Sequence, residues 1–132
     1  YTFSGSTVTP AINYNGTLQV NVRVNDGVVN SNTFQVLVDV DAVNTPPDIT
    51  GQTPSPIAAT EDVPFNISLS NLIIDDPDNS TFTLTVLTGS NYTFSGTTIT
   101  PASNYNGTLS VNVRVNDGTN NSATYPLQVN VA

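Results

Sequence analysis

The chain has 132 residues, 37% of them hydrophobic, and a formal net charge of −8. Arg23 and Arg114 are its only cations, and it has no Lys, His or Cys. A nucleic-acid binder needs a basic face, which this composition excludes. A polybasic membrane-surface segment is excluded on the same ground. Thiolate and imidazole metal sites, thiol catalysis and histidine triads fall away too. Oxygen remains, from carboxylates, amides, hydroxyls and carbonyls, which is the ligand set of hard cations such as calcium. No apolar run approaches the ~18–20 residues of a membrane span, and no secretory signal pattern opens the chain. Val, Thr, Asn and Ser dominate, a usage common in secreted β-proteins.

Residues 1–27, YTFSGSTVTPAINYNGTLQVNVRVNDG, return at 92–118 as YTFSGTTITPASNYNGTLSVNVRVNDG. Only positions 6, 8, 12 and 19 differ, so 23 of 27 match at an offset of 91. The likeness continues through Val36, Val38 and Val40 against Leu127, Val129 and Val131. Residues 1–41 are therefore read as the C-terminal part of one repeat. Residues 42–47, with the stiff Pro46-Pro47, are the linker. Residues 48–132 are a complete repeat. A period near 91 suits independent domains in tandem rather than solenoid units of ~20–50 residues.

Within the complete repeat, short strands are predicted at 56–59, 72–74, 92–95 and 97–99. Phe65, Ile67 and Leu69 alternate with polar residues, as do Phe82, Leu84 and Val86. Leu109, Val111, Val113 and Val115 share one face of the longest predicted strand, 108–117. The chain closes on Tyr125, Leu127, Val129 and Val131. Period two means half-buried strands, and no run has helical period with caps. About seven strands in such a length predict an all-β, Greek-key β-sandwich of immunoglobulin type. Tyr105, just before the longest strand, is read either as a tyrosine corner or as a core-edge aromatic before a turn.

The acids gather at predicted strand ends and loops. Asp75, Asp76 and Asp78 follow Leu72-Ile73-Ile74. Asp39 and Asp41 flank Val40, with Asn44 just beyond. Asp26 and Asp117 each sit in Asn-Asp-Gly, and Glu61-Asp62 lie near the start of the complete repeat. Strand ends of a sandwich collect at two poles, so acids from different loops can converge there. With no Lys to pair them, they repel unless solvated or bound to a cation. The competing reading is that Asp-Pro-Asp-Asn and Asn-Asp-Gly are ordinary turn sequences. Recurrence at the expected pole, with further acids in the linker, favours calcium.

These segments resemble cadherin-like tandem repeats of large bacterial cell-surface adhesins. The resemblance is carried by Ala42-Val43-Asn44-Thr45-Pro46-Pro47, Thr60-Glu61-Asp62-Val63-Pro64, Asp76-Pro77-Asp78, Asn104-Tyr105-Asn106-Gly107-Thr108 and Val115-Asn116-Asp117-Gly118. Each is short; their order and spacing make the set specific. The resemblance implies an immunoglobulin-like sandwich with calcium at the junctions between repeats. It implies ligands from Asp26 of the first repeat, Asp41 and Asn44 of the linker, and Asp76 and Asp78 of the second repeat. Glu61 and Asp117 would serve the next junction downstream. Cadherin linkers usually carry Asn-Asp before the residue that precedes proline. Here Thr45 follows Asn44, so one carboxylate of that pattern is missing.

The function expected is structural: a non-enzymatic, calcium-stiffened spacer of an extracellular protein, at the cell surface or secreted. Its partners would be neighbouring repeats, with no nucleic acid and no membrane insertion by this segment. Any glycan or other cell-surface target would lie elsewhere in the full protein. A carbohydrate-binding module would need an exposed aromatic platform, and there is no Trp. A segment of an extracellular fibre is the other alternative. A 41-residue half-sandwich does not bury a core by itself, so residues 1–41 are expected to need completion. Exchange between identical chains cannot provide it for all, because each holds two C-terminal halves (1–41 and 92–132) and one N-terminal half.

Overall fold

The first copy of the repeated sequence forms four strands: β1 (Thr2–Ser4), β2 (Thr7–Thr9), β3 (Gly16–Val22) and β4 (Phe34–Val40). Gly5, at φ +60°, turns β1 back onto β2. β3 and β4 pair antiparallel from Gly16↔Val40 to Val22↔Phe34. In the computed structural model, which describes residues 1–132, these strands belong to a unit spanning Tyr1–Asn44. Leu18 and Val20 are its buried apolar residues.

The second unit, Thr45–Ala132, holds nine strands. They are β5 (Asp48–Gln52), β6 (Ile57–Ala59), β7 (Phe65–Asn66), β8 (Leu72–Asp75) and β9 (Thr83–Val86), followed by β10 (Tyr92–Ser95), β11 (Thr98–Pro101), β12 (Gly107–Asn116) and β13 (Tyr125–Val131). One sheet has the order β6-β13-β12-β9, another β10-β11-β7, and β5 pairs with β8. All three contribute to one core: Leu109, Val111, Val113, Val115, Leu127, Val129 and Val131 from the first, Tyr92 and Ile99 from the second, Ile49 and Leu72 from the third. This is the expected β-sandwich. The valine alternation of β12 explains its face, because period two turns every second side chain inward.

Three local readings need correction. The first concerns 48–52, which is not among the predicted strands and has Ile49 as its one large apolar residue. It is strand β5, bulged at Thr50, and a Cβ on Gly51 would lie 3.2 Å from Ile73 Cδ1. The second is the run Phe65-Ile67-Leu69, which does not continue as a strand. β7 stops at Asn66, and Leu69–Asn71 form one 3₁₀ turn. Ser68 N–H donates to Asn71 Oδ1 at 2.9 Å, a local bond that competes with the ladder and rotates Leu69 outward.

The third is strand number, which is nine rather than about seven. Part of the excess is a single chain path split in two. Pro54 and Pro56 lack N–H groups and cannot donate to a ladder. The chain leaves β8 at Gln52 and resumes at Ile57 beside β13, which it joins in parallel through Val129↔Ile57. Across the gap, the buried Gln52 side chain stands in for a strand. Its Oε1 accepts from Gln128 N–H at 2.7 Å and its Nε2 donates to Gln128 O at 2.8 Å.

Candidate metal centre

The loop after β8 is built by its own carboxylate. Asp76 Oδ1 accepts from Asp78 N–H and Asn79 N–H, both at 2.8 Å, an Asx turn that Pro77 pre-shapes. Asp76 Oδ2 is buried and has no hydrogen-bond partner. Asp78 reaches in another direction: its Oδ2 accepts from Thr45 N–H at 2.7 Å, fastening the first residue of this unit. Beside this loop, Asp48 stands directly opposite Asp75 on the β5–β8 pair. Like charges in that relation repel. The sequence gives no sign of this pairing, because β5 itself is not legible there.

Asp26 and Asp117 occupy the same loop in both copies. Asp26 Oδ1 accepts from Val28 N–H at 2.9 Å and Val29 N–H at 2.8 Å. Asp117 Oδ1 accepts from Thr119 N–H at 2.7 Å and Asn120 N–H at 2.6 Å. Around each, the preceding Asn (Asn25 or Asn116) accepts from the following glycine N–H and donates to Asn30 or Asn121. Ser31 and Ser122 accept from Val24 N–H and Val115 N–H at 3.0 Å. The turn reading of Asn-Asp-Gly is therefore met in full, with one oxygen of each aspartate committed to it.

The bonds from Val29 and then Val28 hold the Asp26 carboxyl below its ordinary value of 3.8. A depressed folded value means the turn is favoured above the unfolded pKa and released as pH falls through the folded one. An NMR titration of the Asp26 carboxyl is expected to have its midpoint below 3.8, with Val28 and Val29 amide shifts following it.

Glu61 and Asp41 are exposed. Glu61 N–H donates to Ala132 O at 3.2 Å, which ties its backbone, not its carboxylate, to the end of the chain. Its neighbour Asp62, not counted among the ligands, has the more definite role. Asp62 sits at φ 60° and its Oδ1 accepts from Asn104 N–H at 2.9 Å, with Asn104 at φ 55°. Asp62→Ala is expected to lower unit stability by about 1 kcal/mol, and Asp62→Asn by less, in urea unfolding. Asp39 Oδ1 accepts from Thr17 Oγ1 at 3.1 Å across β3–β4.

Tyr105 Oη donates to Thr108 O at 2.7 Å, and Tyr14 repeats this with Thr17 O at 2.7 Å. The bond runs forward along the chain, opposite in direction to a tyrosine corner. The core-edge reading therefore describes Tyr105, which is half-buried against the core.

The structure forms no group of three or more acidic side chains placed to hold a metal ion. What fits a cation is more limited: one carboxylate, Asp76, with a buried, unsatisfied oxygen, beside the Asp48–Asp75 pair. An ionised oxygen buried without a donor is costly, and a hard cation is the kind of partner it lacks.

A family model described as a cadherin-like domain matches residues 43–132. No curated protein matches the chain. Among solved structures, a variant of an endo-fucoidan hydrolase from glycoside hydrolase family 107 is similar at 20% identity and a TM-score of 0.39. The match covers 93% of this chain and 20% of that one, and at such a TM-score it carries no argument. No helix here is long and apolar enough to cross a membrane. With the family match over residues 43–132 and a β-sandwich in place over Thr45–Ala132, the chain belongs to the cadherin-like domain family.

Proposed function

We infer that this chain is a non-enzymatic spacer repeat of an extracellular adhesive protein, stiffened by calcium at the junctions between repeats. The observation that carries the calcium reading is the buried, unpartnered Asp76 Oδ2 in a loop whose other oxygen bonds are already made. Cadherin-like domains are typically extracellular and structural, and generally bind calcium, which supports the setting. Asp76 would supply the anchoring oxygen and Asp78 a second one. Asp26, Asp41 and Asn44 enter from the sequence alone, as do Glu61 and Asp117 for the next junction downstream. A bound calcium would offset the repulsion of unpaired acids in a unit whose only cation is Arg114.

The near-identity of the two copies suits a spacer, in which length matters more than individual surfaces. Thermal melting of residues 1–132 in EDTA and in millimolar calcium tests the reading. A midpoint raised by roughly 5 °C or more is expected. The rise should vanish in the Asp76→Asn, Asp78→Asn double variant, which keeps an acceptor for the Asp76 turn and for Thr45 N–H. An unchanged midpoint in the parent protein would remove calcium and leave the acids as turn-builders.

A further inference from the structure

A small cleft opens in the second unit, on the edge of β12 that faces β9. Its volume is about 320 Å³, and Ser90, Asn91, Tyr105, Thr108, Ser110 and Asn112 are among the residues that line it. No Asp, Glu, Lys or Arg lines it, in a chain with ten acids. β9 pairs with β12 only over Val113–Asn116, so the stretch before that has no strand on this edge.

Strand geometry turns one backbone position of β12 into this cleft. N–H and C=O groups alternate in direction along an antiparallel strand, so those of Thr108, Ser110 and Asn112 share one edge. On either side of Ser110 that edge is closed. Asn112 N–H donates to Tyr92 Oη at 3.1 Å, and Asn112 O accepts from Leu87 N–H at 2.8 Å. Thr108 O accepts from Tyr105 Oη at 2.7 Å. Ser110 stands opposite Gln128 on β13, and Gln128 spends both its backbone groups on Gln52, at the far edge of β13. The Ser110–Gln128 pair therefore exchanges no hydrogen bonds. Ser110 presents a backbone donor and acceptor to the cleft, and no protein group is bonded to either.

We propose that this cleft binds one residue of a neutral glycan. Adjacent hydroxyls of a pyranose match the open backbone pair: one accepts from Ser110 N–H and its neighbour donates to Ser110 O. The hydroxyls of Ser90, Thr108 and Ser110 and the amide of Asn91 surround that anchor. None of them holds the walls, which other groups fix. Asn112 Nδ2 donates to Thr88 O at 3.1 Å, and Asn91 O accepts from Ala102 N–H at 2.8 Å. The half-buried ring of Tyr105 offers an apolar surface to a sugar's C–H groups, so no Trp platform is required. A charged ligand would meet no opposite charge in the lining. An extended peptide fits less well, because strand addition pairs successive positions along an edge. Here both groups of Asn112 and the carbonyl of Thr108 are already taken. A concave site of this volume with a few fixed polar groups has the form of a small-ligand pocket. The proposal does not rest on calcium.

The test titrates the 132-residue chain, in EDTA, with methyl glycosides of glucose, galactose, mannose, fucose and N-acetylglucosamine. Amide shifts are followed by NMR up to about 100 mM glycoside, which reaches millimolar dissociation constants. Saturable shifts at Ser90, Asn91, Ser110 and Asn112 are expected with at least one glycoside. Asn91→Gly with Ser110→Ala should weaken that binding roughly tenfold or more. Asn91 sits at φ 67°, which glycine adopts freely, so this variant keeps its loop. Binding unchanged in the variant overturns the proposal. The parent protein decides independently of any variant: no saturable shift with any glycoside, or shifts centred on other residues, overturns it. Equal shifts with a blocked alanine tripeptide would make the cleft a strand-addition site and overturn it as well.

Discussion

Replacing Gln52 with leucine is expected to destabilise the sandwich of Thr45–Ala132 by about 2–4 kcal/mol. Leucine is close to glutamine in volume and suits a site only 9% exposed, so packing does not explain the loss. The loss comes from the partners. Gln52 satisfies both the N–H and the C=O of Gln128, at 2.7 and 2.8 Å, and Nε2 also donates to Pro54 O at 3.1 Å. These groups lie on the edge of β13 away from β12, where the proline-interrupted path leaves no strand to pair with Gln128. Each backbone group orphaned in a partly buried site costs about 1–3 kcal/mol. A fall in the urea midpoint without a change in m would show it. Gln52→Glu should be similarly harmful at neutral pH, because a carboxylate faces Gln128 O. It should improve as the pH falls towards the ordinary glutamate value of ~4.3, because a buried carboxyl facing a carbonyl takes up its proton above that value in the folded state and can then donate. A leucine variant as stable as the parent would show that water replaces the amide.

Gly89→Ala is the second large effect, about 2–3 kcal/mol. A Cβ at this position would lie 2.6 Å from both Cε1 and Oη of Tyr92 and 2.8 Å from Cζ. The ring cannot retreat cheaply. Tyr92 is buried, and its Oη both donates to Leu87 O at 2.6 Å and accepts from Asn112 N–H at 3.1 Å. That single hydroxyl ties the β9–β10 connection to the middle of β12. Either the alanine is accommodated by a backbone shift or both bonds break. Tyr92→Phe alone should cost less, about 1–2 kcal/mol, since it removes the bonds and keeps the packing. The two changes together should cost less than their sum, because the bonds are lost only once. Strict additivity would place the strain of Gly89→Ala somewhere other than the hydroxyl.

Much of the sandwich was legible because period two is a local property. The alternation of β12 and β13, the hairpin of β10 and β11 and the short strand at 57–59 all announce themselves in the residues. β5 did not, because its inward positions hold one isoleucine, a bulge and a glutamine that acts through hydrogen bonds. Leu69 misled for the opposite reason: its spacing fits a strand, but Ser68 and Asn71 offer the backbone a closer partner. The site divides similarly. Asp26, Asp76 and Asp117 stand out in turn sequences, and each builds its turn. That Asp76 keeps a buried orphan oxygen, or that Asp48 faces Asp75, depends on strand pairing that no local pattern encodes.

The repeated sequence separates the two kinds of information. By itself it determined an all-β chain, the 91-residue offset, the hairpin loop around Asp26 and Asp117, and the turn at Tyr14 and Tyr105. Each of these uses hydrogen bonds within a few residues, so both copies form them alike. The length of the long strand was decided only by tertiary structure. Val-Arg-Val-Asn is the end of a strand at 113–116, yet at 22–25 the strand stops with its first residue. A strand end needs a neighbour to take its N–H and C=O groups and a second sheet to take its valines. At 113–116 β9 takes the groups on one edge and the core lies beneath; at 22–25 the bonds to Ser31 and the Asn25–Asn30 bridge are in place, but no strand stands in the position of β9.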